Sequence, residues 1–156
     1  MVDATCEIEV HAPAGVIYAV IWDVGRYPEF LSDVIDAQVH ATPNANVQEA
    51  AYRVQLFREV AYRVRMVGDR PARVSWQRIA GDDTGDGYLQ RNDGAWRIEP
   101  TDDGRSCRLH YELTIEFGLP LPDAMVSRLV DFNLPTLLRQ MKARAEAVTR
   151  QAQGGL

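Results

Sequence analysis

Residues 4 to 11 alternate. Ala4, Cys6, Ile8 and Val10 fall on one face, Thr5, Glu7, Glu9 and His11 on the other. That is the period of a half-buried strand. Pro13 suits the first turn of a helix, and the apolar run APAGVIYAVIW predicts one over 13–23. Gly25 interrupts the run, and Pro28 allows a short second helix or turn only from its own position, over about 28–31. Strand-like alternation returns at 33–41. In EAAYRVQLF, Tyr52, Val54 and Leu56 share a face against Arg53 and Gln55. In EVAYRVRMVG, Val60, Tyr62, Val64 and Met66 oppose Arg63 and Arg65; in ARVSWQRIA, Val74, Trp76 and Arg78 go together. TPNAN, GDRP and GDDTGDG supply turn residues between these runs. The even spacing predicts an antiparallel meander.

Two longer strands follow. The first covers 87–100, with a bulge or bend expected at Asn92-Asp93-Gly94. After a hairpin turn at TDDGR, the second places Cys107, Leu109, Tyr111, Leu113, Ile115 and Phe117 on one face. Beyond LPLP the period lengthens. Met125, Leu129, Phe132, Leu137, Met141, Ala145 and Val148 recur at steps near three and four, with Val126, Val130, Leu134 and Leu138 as a flanking stripe. This predicts a long amphipathic helix over 123–151, kinked at Pro135.

The chain has 156 residues, 46% of them apolar and 25% charged, which fits one globular domain. We expect a single domain over 1–151 and a frayed tail over 152–156. No apolar run approaches the ~18 residues of a membrane span, and MVDATCEIEV lacks the basic start of a signal peptide. A net charge of -5 argues against nucleic acid as a partner. Cys6 and Cys107 stand apart, without metal-ligand spacing to any histidine. They predict reduced thiols in a cytoplasmic protein, with no metal and no cofactor. His11, His40 and His110 fall on outward faces or loops, so no nucleophile constellation forms.

One sheet cannot leave its apolar face bare, and one long helix laid across it can cover it. The order strand, two short helices, six strands, long helix resembles the START-like, helix-grip superfamily. That group holds polyketide cyclases, coenzyme Q-binding proteins and ribosome-associating toxins. The matching residues are Ala12-Pro13, Trp22-Asp23, RYPEFL at 26–31, AWRIEP at 95–100, RLHYELTIEF at 108–117 and RAE at 144–146. The resemblance implies an α+β fold: a seven-stranded antiparallel curved sheet wrapped on a C-terminal helix. It also implies a hydrophobic small-molecule partner, a lipid, isoprenoid quinone or polyketide-like compound, held between sheet and helix.

The inward faces supply the candidate site. Phe30 follows the first helix; Leu56, Tyr62, Val64, Met66, Trp76, Trp96, Tyr111 and Leu113 come from the sheet; Leu129 and Asn133 come from the last helix. Such pockets are mostly apolar, with a few polar groups to orient the guest. Arg78 and Arg91 also fall on inward faces. Arg78 is near enough to a strand end to reach solvent or a ligand anion. Aromatase-like cyclases of the superfamily tend to carry a serine and an arginine on alternate inward positions of the fourth strand, beyond an aromatic. Here the aromatic is Tyr62, and Val64 and Met66 follow, which cannot move protons. The expectation is therefore a binding protein. A cyclase or dehydratase using Tyr62, Arg78 or Tyr111 is the second reading, and a toxin-like interaction protein the third. The third would use Arg53, Arg63, Arg65 and Arg73, with Arg58 and Arg70 nearby. That face is either solvated among acid partners or a dock for an acidic protein, RNA or an anionic membrane. Transient membrane contact stays among the expected partners.

Overall fold

The computed structural model describes residues 1–79 and 89–154. The expected GDDTGDG turn and the last two residues lie outside them. Seven strands form one sheet: β1 (Val2–Val10), β2 (Val34–Asn44), β3 (Val47–Gln55), β4 (Glu59–Asp69), β5 (Arg73–Arg78), β6 (Leu89–Pro100) and β7 (Cys107–Phe117). Their order is β1-β7-β6-β5-β4-β3-β2, and neighbours are antiparallel. β2 to β7 are a meander, and β1 closes onto the far side of β7. The chain crosses from one sheet edge to the other through α1 (Ala14–Trp22) and a 3-10 helix (Val24–Glu29). After β7 come α2 (Asp123–Arg128), a π-helical turn (Leu129–Asn133) and α3 (Leu134–Gly154). This is the α+β helix-grip arrangement.

Alternation set the faces correctly in β4 and β7. Val60, Val64 and Met66 are buried while Arg65 is exposed, and Cys107, Leu109, Tyr111, Leu113 and Ile115 all point inward. Three features differ from expectation. Pro28 sits inside the 3-10 helix rather than at a helix start. It forgoes one amide bond, and the amides of Phe30 and Leu31 close on the Tyr27 carbonyl beyond it.

The bulge in β6 lies between Leu89 and Arg91, not at residues 92–94. One extra residue there shifts the alternation downstream. Arg91 therefore faces outward, paired with Asp93 at 2.7 Å, and Asn92 takes the inward position. Gly94 keeps the ladder regular because Trp76 lies against it. A Cβ at Gly94 would come 2.1 Å from the Glu112 carbonyl oxygen and 2.7 Å from the Trp76 ring.

The C-terminal helix does not simply kink at Pro135. Its irregularity is the π turn just before that proline. Leu129 and Leu134 are both buried five residues apart, the π repeat, and Leu138, Met141 and Ala145 continue the stripe. The extra residue turns the earlier stripe out of phase. Phe132 is 51% exposed, Met125 is also exposed, and α2 buries none of its residues. α3 runs on to Gly154, past the expected fraying point.

Gly94→Ala should destabilise the protein by roughly 3 kcal/mol or more, since backbone and indole must both move. Gly15→Ala, in α1 with open space around it, should stabilise by about 0.5–1 kcal/mol. Urea unfolding of the two variants checks the contrast; equal effects would mean that Trp76 does not lie on β6.

Candidate functional site

The inner face of the sheet and the C-terminal helix leave a cavity of about 150 Å³. Its floor is built by alternate residues of neighbouring strands. β4 contributes Val60, Tyr62, Val64 and Met66; β7 contributes Tyr111, Leu113 and Ile115; Trp76 and Trp96 come from β5 and β6. Leu129, Asn133, Leu134 and Leu137 form the helix side, and Tyr27, Leu31 and Asp33 the third wall. Registered pairing fixes these rings. Met66 stands opposite Trp76, and Trp96 opposite Tyr111. Tyr111 stacks on Trp76 at 5.3 Å between centroids and meets Trp96 at 4.5 Å. Tyr52 stacks on Tyr27 at 6.1 Å and leans on Tyr62 at 5.4 Å. Aromatic pairs at such distances are favourable beyond their buried area.

The polar groups of the cavity are mostly phenols. The Tyr27 hydroxyl donates to the Ile21 carbonyl, and that of Tyr52 to the Met66 sulfur at 3.6 Å, a weak acceptor. Trp76 Nε1 donates to Asn92 Oδ1 at 2.8 Å. Burial raises the pKa of all four cavity tyrosines, since a phenolate there would lose its water. Tyr62 is pushed up to about 12, held from rising further by Asn92; the other three rise higher. These phenols are proton donors in hydrogen bonds, not bases. Asp33 is the one carboxylate among the described lining residues, and Asn133 Nδ2 donates to it at 2.9 Å where β2 begins beneath the helix. Among the described residues, no group of three or more His, Cys, Asp or Glu is placed to hold a metal ion. No helix there is long and apolar enough to cross a membrane.

Residues 10–142 match the model of the family described as polyketide cyclase / dehydrase and lipid transport. The chain belongs to this polyketide cyclase / dehydrase and lipid transport family. Comparison with curated proteins found no match. Solved structures share the fold. An aromatase/cyclase from Streptomyces sp. R1128 is 17% identical with a TM-score of 0.81, covering 97% of each chain. A START superfamily protein from Mycobacterium smegmatis is 19% identical with a TM-score of 0.79, covering 94% of this chain and 98% of its own. A STAR-related lipid transfer protein from Xanthomonas axonopodis is 14% identical with a TM-score of 0.75, covering 91% and 84%.

Within this member of the polyketide cyclase / dehydrase and lipid transport family, the cavity gathers most of the residues singled out from sequence. Leu56, Tyr62, Val64, Met66, Trp76, Trp96, Tyr111, Leu113, Leu129 and Asn133 line it. Phe30 and Arg78 do not. Phe30 packs edge-on against Tyr27 and lies under the Arg144 guanidinium, so it ties the 3-10 helix to α3. Arg78 stands opposite Val64 at the end of β5 but reaches sideways to the Gln90 carbonyl. Sequence reasoning missed Asn92 and Asp33. Counting back by twos from Trp96 through Gly94 reaches Asn92, so the signal was there and the misplaced bulge hid it. Asp33 had no local signal, because the helix that meets it is a hundred residues away. On the outer face, Arg53 pairs with Glu59 at 3.0 Å, Arg65 with Glu49 at 2.8 Å and Arg73 with Glu112 at 3.8 Å. Cross-strand carboxylates thus offset the arginine-rich face.

The four raised phenol pKa values make a pH prediction. The unfolded chain loses phenol protons above about pH 10 while the folded chain keeps them. Stability is complete below pH 10 and is lost as pH rises toward the folded values. Each tyrosine contributes a slope of up to about 1.4 kcal/mol per pH unit. Urea unfolding at pH 8, 10 and 11 should show this decline; a flat profile would mean that the phenols are hydrated.

Proposed function

We propose that this protein binds a hydrophobic small molecule in the cavity between its sheet and its C-terminal helix. The carrying observation is the cavity itself: an apolar, aromatic-walled space between the sheet and the C-terminal helix. Family membership supports the same reading. The Streptomyces aromatase/cyclase and the Xanthomonas lipid transfer protein suggest a polyketide-like or lipid guest, and an isoprenoid quinone belongs to the same range. Free Cys6 and Cys107 suit a cytoplasmic setting.

Family membership also favours a cyclase, and Tyr62 and Tyr111 could steady an enolate oxygen. Cyclisation further needs a group that takes and returns a proton. The lining phenols hold theirs too tightly, and Asp33 is engaged with Asn133. Binding is therefore the reading adopted here.

A probe the size of the cavity tests it. 4-Fluorotoluene, followed by fluorine NMR, should bind saturably. Val64→Phe, which pushes a ring into the space, should weaken binding by at least about tenfold. Val67→Phe, on the exposed opposite face of the same strand, should leave it unchanged. Equal binding by the two variants would place the guest elsewhere and end this reading.

A further inference from the structure

Building on that binding reading, we propose that the guest is a neutral single-ring compound whose carbonyl-type oxygen accepts hydrogen bonds from the Tyr62 and Tyr111 hydroxyls.

The size follows from volume. A cavity of about 150 Å³ is on the scale that holds one benzene ring, and is below the ~300 Å³ at which drug-sized pockets begin. The polarity follows from an inventory of protons. An indole nitrogen can only donate, so the Asn92 atom 2.8 Å from Trp76 Nε1 is its oxygen. That oxygen is thus already taken, and the Tyr62 hydroxyl, which also lines the cavity, has no acceptor among the described residues. Tyr111 has its ring fixed between Trp76 and Trp96, and its hydroxyl has no hydrogen-bond partner among the described residues. Tyr52 donates only to a sulfur.

The walls thus offer unspent donors and few acceptors. An apolar guest would cover these hydroxyls without pairing them, which is costly, so an acceptor on the guest is favoured over an apolar group of the same shape. Negative charge is disfavoured, and the one carboxylate of the described lining, Asp33, already accepts from Asn133. No cationic side chain lines the cavity among the described residues, so a carboxylate would enter without a counter-ion. The flat rings of Trp76, Trp96 and Tyr111 favour a planar guest. The result is a filter for shape and for a single oxygen, a narrower class than hydrophobic molecules in general.

Two nearly isosteric probes separate the inference from the binding reading. 4-Fluoroacetophenone carries the acceptor, and 1-ethyl-4-fluorobenzene lacks it. In the unaltered protein the ketone should bind at least about tenfold tighter, as two neutral hydrogen bonds allow. Its carbonyl stretch should move to lower wavenumber when bound. Tyr111→Phe removes one oxygen and little else. It should cut the preference severalfold and reverse part of the stretch shift, with the affinity for the hydrocarbon unchanged. Tyr62→Phe should do the same for the second hydrogen bond. Equal affinity for both probes, at any strength, would overturn the inference while leaving the binding reading intact. Failure of both probes to bind would overturn the reading and the inference together. Loss of ketone and hydrocarbon binding in parallel in Tyr111→Phe would reduce that residue to a packing role and overturn its assigned part.

Discussion

A helix with its side chains is about 10–12 Å across, whereas seven strands about 4.8 Å apart span about 29 Å. One helix cannot cover such a sheet if the sheet is flat. The sheet must curl around the helix, and the two edges must be sealed separately. β1 packs beneath α3 on one side. On the other, the 3-10 helix brings Tyr27 and Leu31 under the turn at Leu129–Asn133. Specific contacts hold the seal: Gln140 with Ser32, Arg144 with Glu29, and Lys142 with the Glu9 carbonyl. The short helical crossing between β1 and β2 is thus the fold's answer to a helix narrower than its sheet.

A concave sheet wrapped on a cylinder meets it closely along one line only. Elsewhere the gap must be filled by long side chains or left open. Farther along α3, Leu138, Met141 and Ala145 are fully buried, and the helix packs on β1 and α1. Toward its start, the π turn and the bare α2 hold less apolar bulk against the sheet. Aromatic rings from β3 to β7 rise to fill the difference and do not quite succeed. The cavity therefore lies where the helix is irregular. Among the described residues, the polar groups there are phenols, indoles, the amides of Asn92 and Asn133, and one carboxylate, Asp33, which accepts from Asn133.

Most of this was legible where one physical signal acts locally. Alternation in β4 and β7 fixed which residues face the helix, because a strand's period leaves only two choices. The long helix was visible from the change of period, and an irregular point near Pro135 from the proline itself. What stayed hidden depended on partners far away in the chain. Gly94 looked like the cause of a bulge, but its missing side chain makes room for Trp76 in a regular ladder, and the bulge sits at Gln90. Expecting the bulge at 92–94 placed Arg91 on the inward face and hid Asn92. The π turn has no sequence signature of its own, so the burial of Phe132 was overestimated. The arginines of the outer face read equally as solvated among acids or as a dock, because their partners Glu59, Glu49 and Glu112 come from other segments of the sheet.

The central claim is that apolar space exists between the sheet and the first turns of the C-terminal helix. Xenon enters dry apolar cavities without needing any particular chemistry. A crystal structure of the protein under xenon pressure should therefore place xenon among Val64, Tyr111 and Leu129. A well-ordered crystal with no xenon there, and with Leu129 or Leu137 packed directly on Val64, would contradict it.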